Sequence, residues 1–154
     1  MSYGEAITLS VVDTLQVEAE KLAMEQGAMT HPVHLLAVLL KSKSSTSVAR
    51  VMEEAGLFPS KVDEALQELK PQLPRNIASQ RTSLYNGVLA VAEALAQQHD
   101  RERTKAVQVY DLTEAIMMAG DKVVDRFIEA VRASDSVATR PSILGTLKAI
   151  KRLE

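Results

Sequence analysis

The chain of 154 residues contains no cysteine. Disulfides, thiolate nucleophiles and cysteine-based metal sites are excluded with it. Tryptophan is also missing, and aromatic residues make up only 3% of the sequence. The interior must therefore be filled by Leu, Val, Ile, Ala and Met. Most of these are good helix formers, and Met fills irregular gaps. Neither sign of charge is in excess: 18 Lys and Arg stand against 20 Asp and Glu. Nucleic-acid binding needs a basic surplus to neutralise phosphates, so no nucleic-acid partner is expected. No apolar run approaches the ~20 residues of a membrane-spanning helix. The start, Met1 to Glu5, has no charged region leading into an apolar stretch, so no signal peptide is expected. A cytoplasmic location and no membrane partner are the corresponding expectations.

What is present is helical periodicity. A first helix reads Leu9, Val12, Leu15, Ala19, Leu22, Ala23. A second, Leu35 to Leu40, is apolar around most of its circumference and so belongs at the centre of the fold. Pro32 stands at its start, where the missing N–H costs nothing. Val48, Val51, Met52 and Ala55 mark a third helix, with Gly56 as a left-handed stop. Val62, Ala65, Leu66 and Leu69 mark a fourth, and Ser60 with Asp63 reads as a capping box with Asp in place of Glu. Pro71 and Pro74 end that run. Further on, Leu84, Val88, Val91, Ala92, Leu95 and Ala96 form a long helix, and the polar stretch 97–105 reads as a loop. Leu112, Ala115, Ile116 and Ala119 mark the next helix, with Gly120 after it. Val124, Phe127, Ile128 and Val131 mark another, and Ile143, Leu147 and Ile150 the last. Alternation of period two is not prominent, so no sheet is expected.

The order repeats. AEKLA at 19–23 matches AEALA at 92–96, and the helix at Leu35 matches that at Leu112. Val48-Val51-Met52-Ala55 matches Val124-Phe127-Ile128-Val131, and Pro59-Ser60 matches Pro141-Ser142. The pattern predicts one domain over 1–154: a first repeat at 8–70, a linker at 71–80 and a second repeat at 81–153. The fold class is all-α, an eight-helix bundle of two four-helix repeats related by a pseudo-twofold axis. Each repeat alone is too small to hide its apolar faces.

Several features bear on chemistry. His31 and His34 are three apart, which can set two imidazoles on one helix face, but a metal site usually needs a third or fourth ligand. Packing or capping is the favoured reading. Ser44 to Ser47 read as a polar loop rather than an activated serine. Glu53 and Glu54 are sequence neighbours and diverge on a helix. No phosphate loop of the form G-x-x-x-x-G-K-[ST] is present. The chain is therefore not expected to be an enzyme, and no cofactor or metal is called for. Arg140, Lys148, Lys151 and Arg152 accompany Ile143, Leu147 and Ile150. A basic amphipathic helix can bind a membrane or a partner helix, but cations near a helix C-terminus also offset its dipole, which is the favoured reading.

The segment 30–40 (THPVHLLAVLL), the long helix before it, and VARVMEEAGL at 48–57 resemble the first repeat of the N-terminal domain of the Clp family of AAA+ unfoldases. Pro32, two residues before His34-Leu35-Leu36, is most similar to the ClpB type. VYDLTEAIM at 109–117 holds the equivalent place in a more diverged second repeat. The resemblance runs over roughly residues 6–153. It implies an eight-helix pseudo-symmetric bundle, tethered to a hexameric ATP-driven ring, that docks unfolded or aggregated protein segments or an adaptor protein. It further implies an apolar groove with polar residues at its edge, for which the matching positions are Thr8, Asp111 and Asp100. Thr8 and Asp111 can equally be helix caps. The Clp relatives that read phosphoarginine tags carry a Glu in each repeat, where this chain has Val33 and Tyr110. A neutral side chain cannot make that charged hydrogen bond. Two other readings stand beside this one: a free-standing Clp-N-like protein that regulates a protease or chaperone ring, and a helical bundle with enzymatic or metal-binding activity. Whether the reading frame continues into a phosphate-loop ATPase separates the first two. A bound metal or turnover by this chain alone would mark the third.

Overall fold

The computed structural model describes residues 11–42, 46–75, 80–99 and 107–153. Eight α-helices occur among them: α1 (Val11–Gln26), α2 (Pro32–Ser42), α3 (Thr46–Glu54), α4 (Val62–Leu69), α5 (Ser83–His99), α6 (Val109–Met118), α7 (Lys122–Val131) and α8 (Arg140–Leu153). No strand forms among the described residues. Backbone pairing outside the helices is confined to the isolated bridges Ala28 to Arg75, Thr30 to Arg81 and Leu57 to Arg132. No helix there is long and apolar enough to cross a membrane.

The helices bury the residues that their spacing selects. On α1 these are Val12, Leu15, Ala19 and Ala23; on α7 they are Val124, Phe127, Ile128 and Val131. Every residue from Pro32 to Leu40 is buried, and so is α6 from Asp111 to Met117. These two helices, in contact with each other, form the centre. A wide apolar circumference demands such a place, because each buried Leu, Val or Ile contributes about 1.5–3 kcal/mol that an exposed one does not.

The packing runs in pairs. Helix α1 lies on α2, and α5 on α6. Helix α1 also meets α6, while α5 meets α2. Helix α2 meets α7, while α6 meets α3. Helix α3 meets α8, while α7 meets α4. The turns after α3 and α7 join directly: Phe58 N–H donates to the Val131 carbonyl at 2.9 Å, and Ala133 N–H to the Gly56 carbonyl at 2.7 Å. The segment after α1 is pinned to residues beyond α4, with Met29 N–H on the Pro74 carbonyl and Thr30 N–H on that of Gln80, both at 2.9 Å. Thr82 closes this corner. Its hydroxyl donates to the Thr30 carbonyl at 3.1 Å and accepts Tyr85 N–H at 3.0 Å, capping α5.

The helix ends depart from the expectation at two places. The Ser60–Asp63 capping box is not used. A 3₁₀ turn, Pro59–Lys61, leads into α4 with no side-chain cap. Pro59 presets the backbone for that turn, and the chain enters α4 through backbone bonds alone. Helix α5 also runs on to His99, through residues 97–99, whose polar composition predicts a loop. Gln97 and Gln98 are exposed, and the helix continues through them beyond its buried stripe. Gly56 and Gly120 do adopt the left-handed conformation, at φ 78° and 68°.

Candidate functional site

Two surface hollows lie on the first half of the chain, and a third lies between α7 and the start of α8. A groove of about 460 Å³ lies between the end of α2, helix α3 and the turn before α4. Its floor is Leu39, Leu40, Met52 and Leu57, all buried. Phe58 stands at its edge with 42% of its surface exposed, and Arg50 and Glu53 are exposed beside it. Local sequence explains why Phe58 is there. Gly56 turns the chain out of α3, Leu57 turns inward to the core, and Pro59 begins the next turn. The residue between Leu57 and Pro59 then faces outward. The Lys61 ammonium sits 5.5 Å from the Phe58 ring centroid, a contact worth about 0.5–1 kcal/mol at an exposed site.

A larger hollow of about 710 Å³ lies along α1 and α2. Its lining mixes Glu18, Lys21, Glu25 and Lys41 with Leu22, Met24 and Val38, whereas the α2–α3 groove is floored by four buried apolar side chains. The α2–α3 groove is the better candidate for binding an apolar segment, since an apolar floor with a few polar fixers is the usual composition of a binding site.

Of the residues first singled out, Thr8 and Asp100 lie outside the described residues. Asp111 is the third residue of α6, 2% exposed, and its carboxylate accepts the Gln108 N–H at 3.0 Å. The capping use of Asp111 is thus present. It lines neither the α2–α3 groove nor the α1–α2 hollow. Val33 is fully buried, and the Tyr110 hydroxyl donates to the Leu147 carbonyl on α8, so both serve packing. Arg140 forms an ion pair with Asp125 at 2.9 Å and donates to the Met117 carbonyl at 2.9 Å, closing the end of α6. The loop 43–45 and the side chains of Thr46, Ser47, Lys151 and Arg152 lie outside the description.

His31 and His34 both cap the start of α2. Val33 N–H donates to His31 Nδ1 at 3.0 Å, and His31 N–H donates to His34 Nδ1 at 3.0 Å. Each Nδ1 must therefore carry a lone pair, which assigns the proton of each neutral ring to Nε2. The His34 Nε2–H then donates to Gln26 Oε1 at 2.7 Å, and His31 Nε2 meets Asp121 Oδ2 at 3.2 Å. Burial pushes the His31 pKa down, with the Asp121 charge opposing it. Burial also lowers His34, helped by the neighbouring His31 and opposed by the backbone bond from His31, to about 4. With their ring nitrogens engaged, the two histidines are structural groups. No cluster of three His, Asp or Glu among the described residues is placed to hold a metal ion.

Sequence reasoning passed over Phe58 and Asp121. Asp121 accepts N–H bonds from Val123 and Val124 at the start of α7. An Asp directly after a helix-stopping Gly and before an apolar run is a capping signal that was legible. Phe58 carries only a weak signal, a large apolar residue between two turn formers. Scanned against models of protein families, the chain matches none, and a search of curated proteins finds no match either.

Proposed function

We propose that this chain is the substrate- or adaptor-docking N-terminal domain of a Clp-type ATP-dependent unfoldase or disaggregase, built as two four-helix repeats, and that it binds apolar protein segments in the α2–α3 groove. The exchange pattern of the contacts supports the repeat. Exchanging α1–α4 with α5–α8 in the main contacts between α-helices of the two halves returns an observed contact: α1 with α6 becomes α5 with α2, α3 with α8 becomes α7 with α4, and α2 with α6 becomes itself. A twofold arrangement requires that reciprocity. Burial follows the same correspondence: Ala19 and Ala92 are both fully buried, as are Leu35 and Leu112.

The observation that carries the binding reading is the apolar floor of the groove with exposed Phe58 at its edge. A module that hands segments to a motor must release them, and a shallow, largely preformed groove gives weak binding of that kind. The test is fluorescence anisotropy of a labelled, permanently unfolded polypeptide titrated with the chain. Phe58→Ser should weaken binding roughly tenfold, the equivalent of about 1.4 kcal/mol, while the chain stays folded with its stability in urea lowered by about 1 kcal/mol through loss of the Lys61 contact. Absence of binding by the unaltered chain, or affinity indifferent to Phe58, would overturn the assignment.

A further inference from the structure

We propose that His31 and His34 form an acid-sensitive clasp, which frees the start of α2 from the ends of α1 and α7 while the remaining helices stay folded. Helix starts are usually capped by Ser, Thr, Asp or Asn. Hydroxyl and amide caps keep their acceptors at any pH, and a carboxylate keeps one down to low pH. Here two successive caps are imidazole lone pairs on Nδ1. Protonation places an N–H on each Nδ1, aimed at a backbone N–H only 3.0 Å away. Donor then faces donor, and the N–H groups of His31 and Val33 lose their acceptors.

The clasp reaches well beyond its own turn. His34 holds Gln26 at the end of α1, and the Gln26 amide donates to the Leu66 carbonyl of α4 at 2.7 Å. His31 holds Asp121, whose Oδ2 also accepts the Val123 and Val124 N–H groups that open α7. The same two rings therefore connect α1, α2, α4 and α7. Asp121, which caps α7, faces His31, and His31 faces His34. From α1 and α4 the facing groups are the neutral Gln26 amide and the Leu66 carbonyl. Arg75 and Arg81 flank residues 28–30 through backbone bridges, and the Arg81 side chain turns to Glu20. An anion thus offsets a proton on His31, while the side chain that His34 Nε2 meets is the neutral Gln26 amide.

Because the folded His34 pKa lies below its unfolded value, the unfolded or opened form binds the proton more tightly. The clasp is at full strength above about pH 6.5 and weakens as pH falls toward about 4. By linkage the opening equilibrium of the clasp shifts roughly 30-fold between pH 7.5 and pH 5.

The test is NMR on the full chain from pH 7.5 to pH 4. Imidazole nitrogen shifts at pH 7.5 should show Nε2–H tautomers for both rings. As pH falls, the amides of His31, Val33, Val123 and Val124 should move and lose exchange protection together. The amides of α5, α6 and α8 should stay protected over the same range. Gln26→Leu, which removes the His34 partner and leaves both rings in place, should raise the pH of opening. The proposal is overturned if His34 titrates near 6.5, if protection is lost in all helices in a single transition, or if Gln26→Leu leaves the opening pH unchanged.

Discussion

The turn after α3 offers a substitution whose cost is worked out from contacts across the two halves. Gly56 has φ 78°, and a Cβ built on it would lie 3.2 Å from Ser136 Cβ and 3.4 Å from its Oγ. Gly27 has φ 68° with nothing within 4 Å of the same position. Gly27→Ala therefore pays only the left-handed backbone penalty, roughly 1–2 kcal/mol, less about 0.5 kcal/mol from the stiffer unfolded chain. The net is about 1 kcal/mol. Gly56→Ala carries the same term and also presses on Ser136. That serine donates to the Ala55 carbonyl at 2.6 Å and accepts the Ala138 N–H at 3.2 Å. Displacing it loses about 1–1.5 kcal/mol of hydrogen bonding and packing, for a total of about 2–3 kcal/mol. Urea unfolding followed by circular dichroism measures both. In a Ser136→Gly background the space is returned, and Gly56→Ala should cost only about 1 kcal/mol, leaving a coupling of about 1 kcal/mol. Equal costs for Gly27→Ala and Gly56→Ala, or a Gly56→Ala cost unchanged by Ser136→Gly, would refute the reasoning.

Gly87 in α5 and Gly145 in α8 are exposed, have negative φ and meet nothing within 4 Å, so Gly87→Ala and Gly145→Ala should each raise stability in urea by about 0.5–1 kcal/mol. Phe127 is fully buried on α7, and Phe127→Ala should lower stability by about 3–5 kcal/mol, read from the same transition. Asp111→Ala removes the acceptor for Gln108 N–H and should cost about 1 kcal/mol. If affinity for an unfolded polypeptide falls well beyond that cost, Asp111 also has a binding role, and anisotropy with the variant separates the two. Asp121→Ala strips both the α7 cap and the His31 partner. It should cost about 2 kcal/mol, more than Asp111→Ala.

All eight helices were legible in the sequence, because helical burial is a local property. Val124, Phe127, Ile128 and Val131 fall on one stripe of α7 whatever lies opposite, and the structure buries all four. The left-handed stops at Gly56 and Gly120 are equally local, since only the residue's own backbone is involved. The lack of cysteine, of a phosphate loop and of a charge surplus was likewise fixed by composition and motif. Helix ends were less legible. Ser60 and Asp63 have the spacing of a cap, yet the 3₁₀ turn at Pro59 takes its place. The groove was less legible still: Phe58, between Gly56-Leu57 and Pro59, carries a weak local signal, but the groove forms only where α2 and α3 pack to bring Leu39 and Leu40 beside Met52 and Leu57. The histidines show the same division. Their spacing on α2 is in the sequence, but Gln26 and Asp121 arrive from α1 and α7. A side chain's hydrogen-bond partner is set by which helices pack together, and that is decided by the summed burial of apolar faces over the whole chain rather than by any one segment.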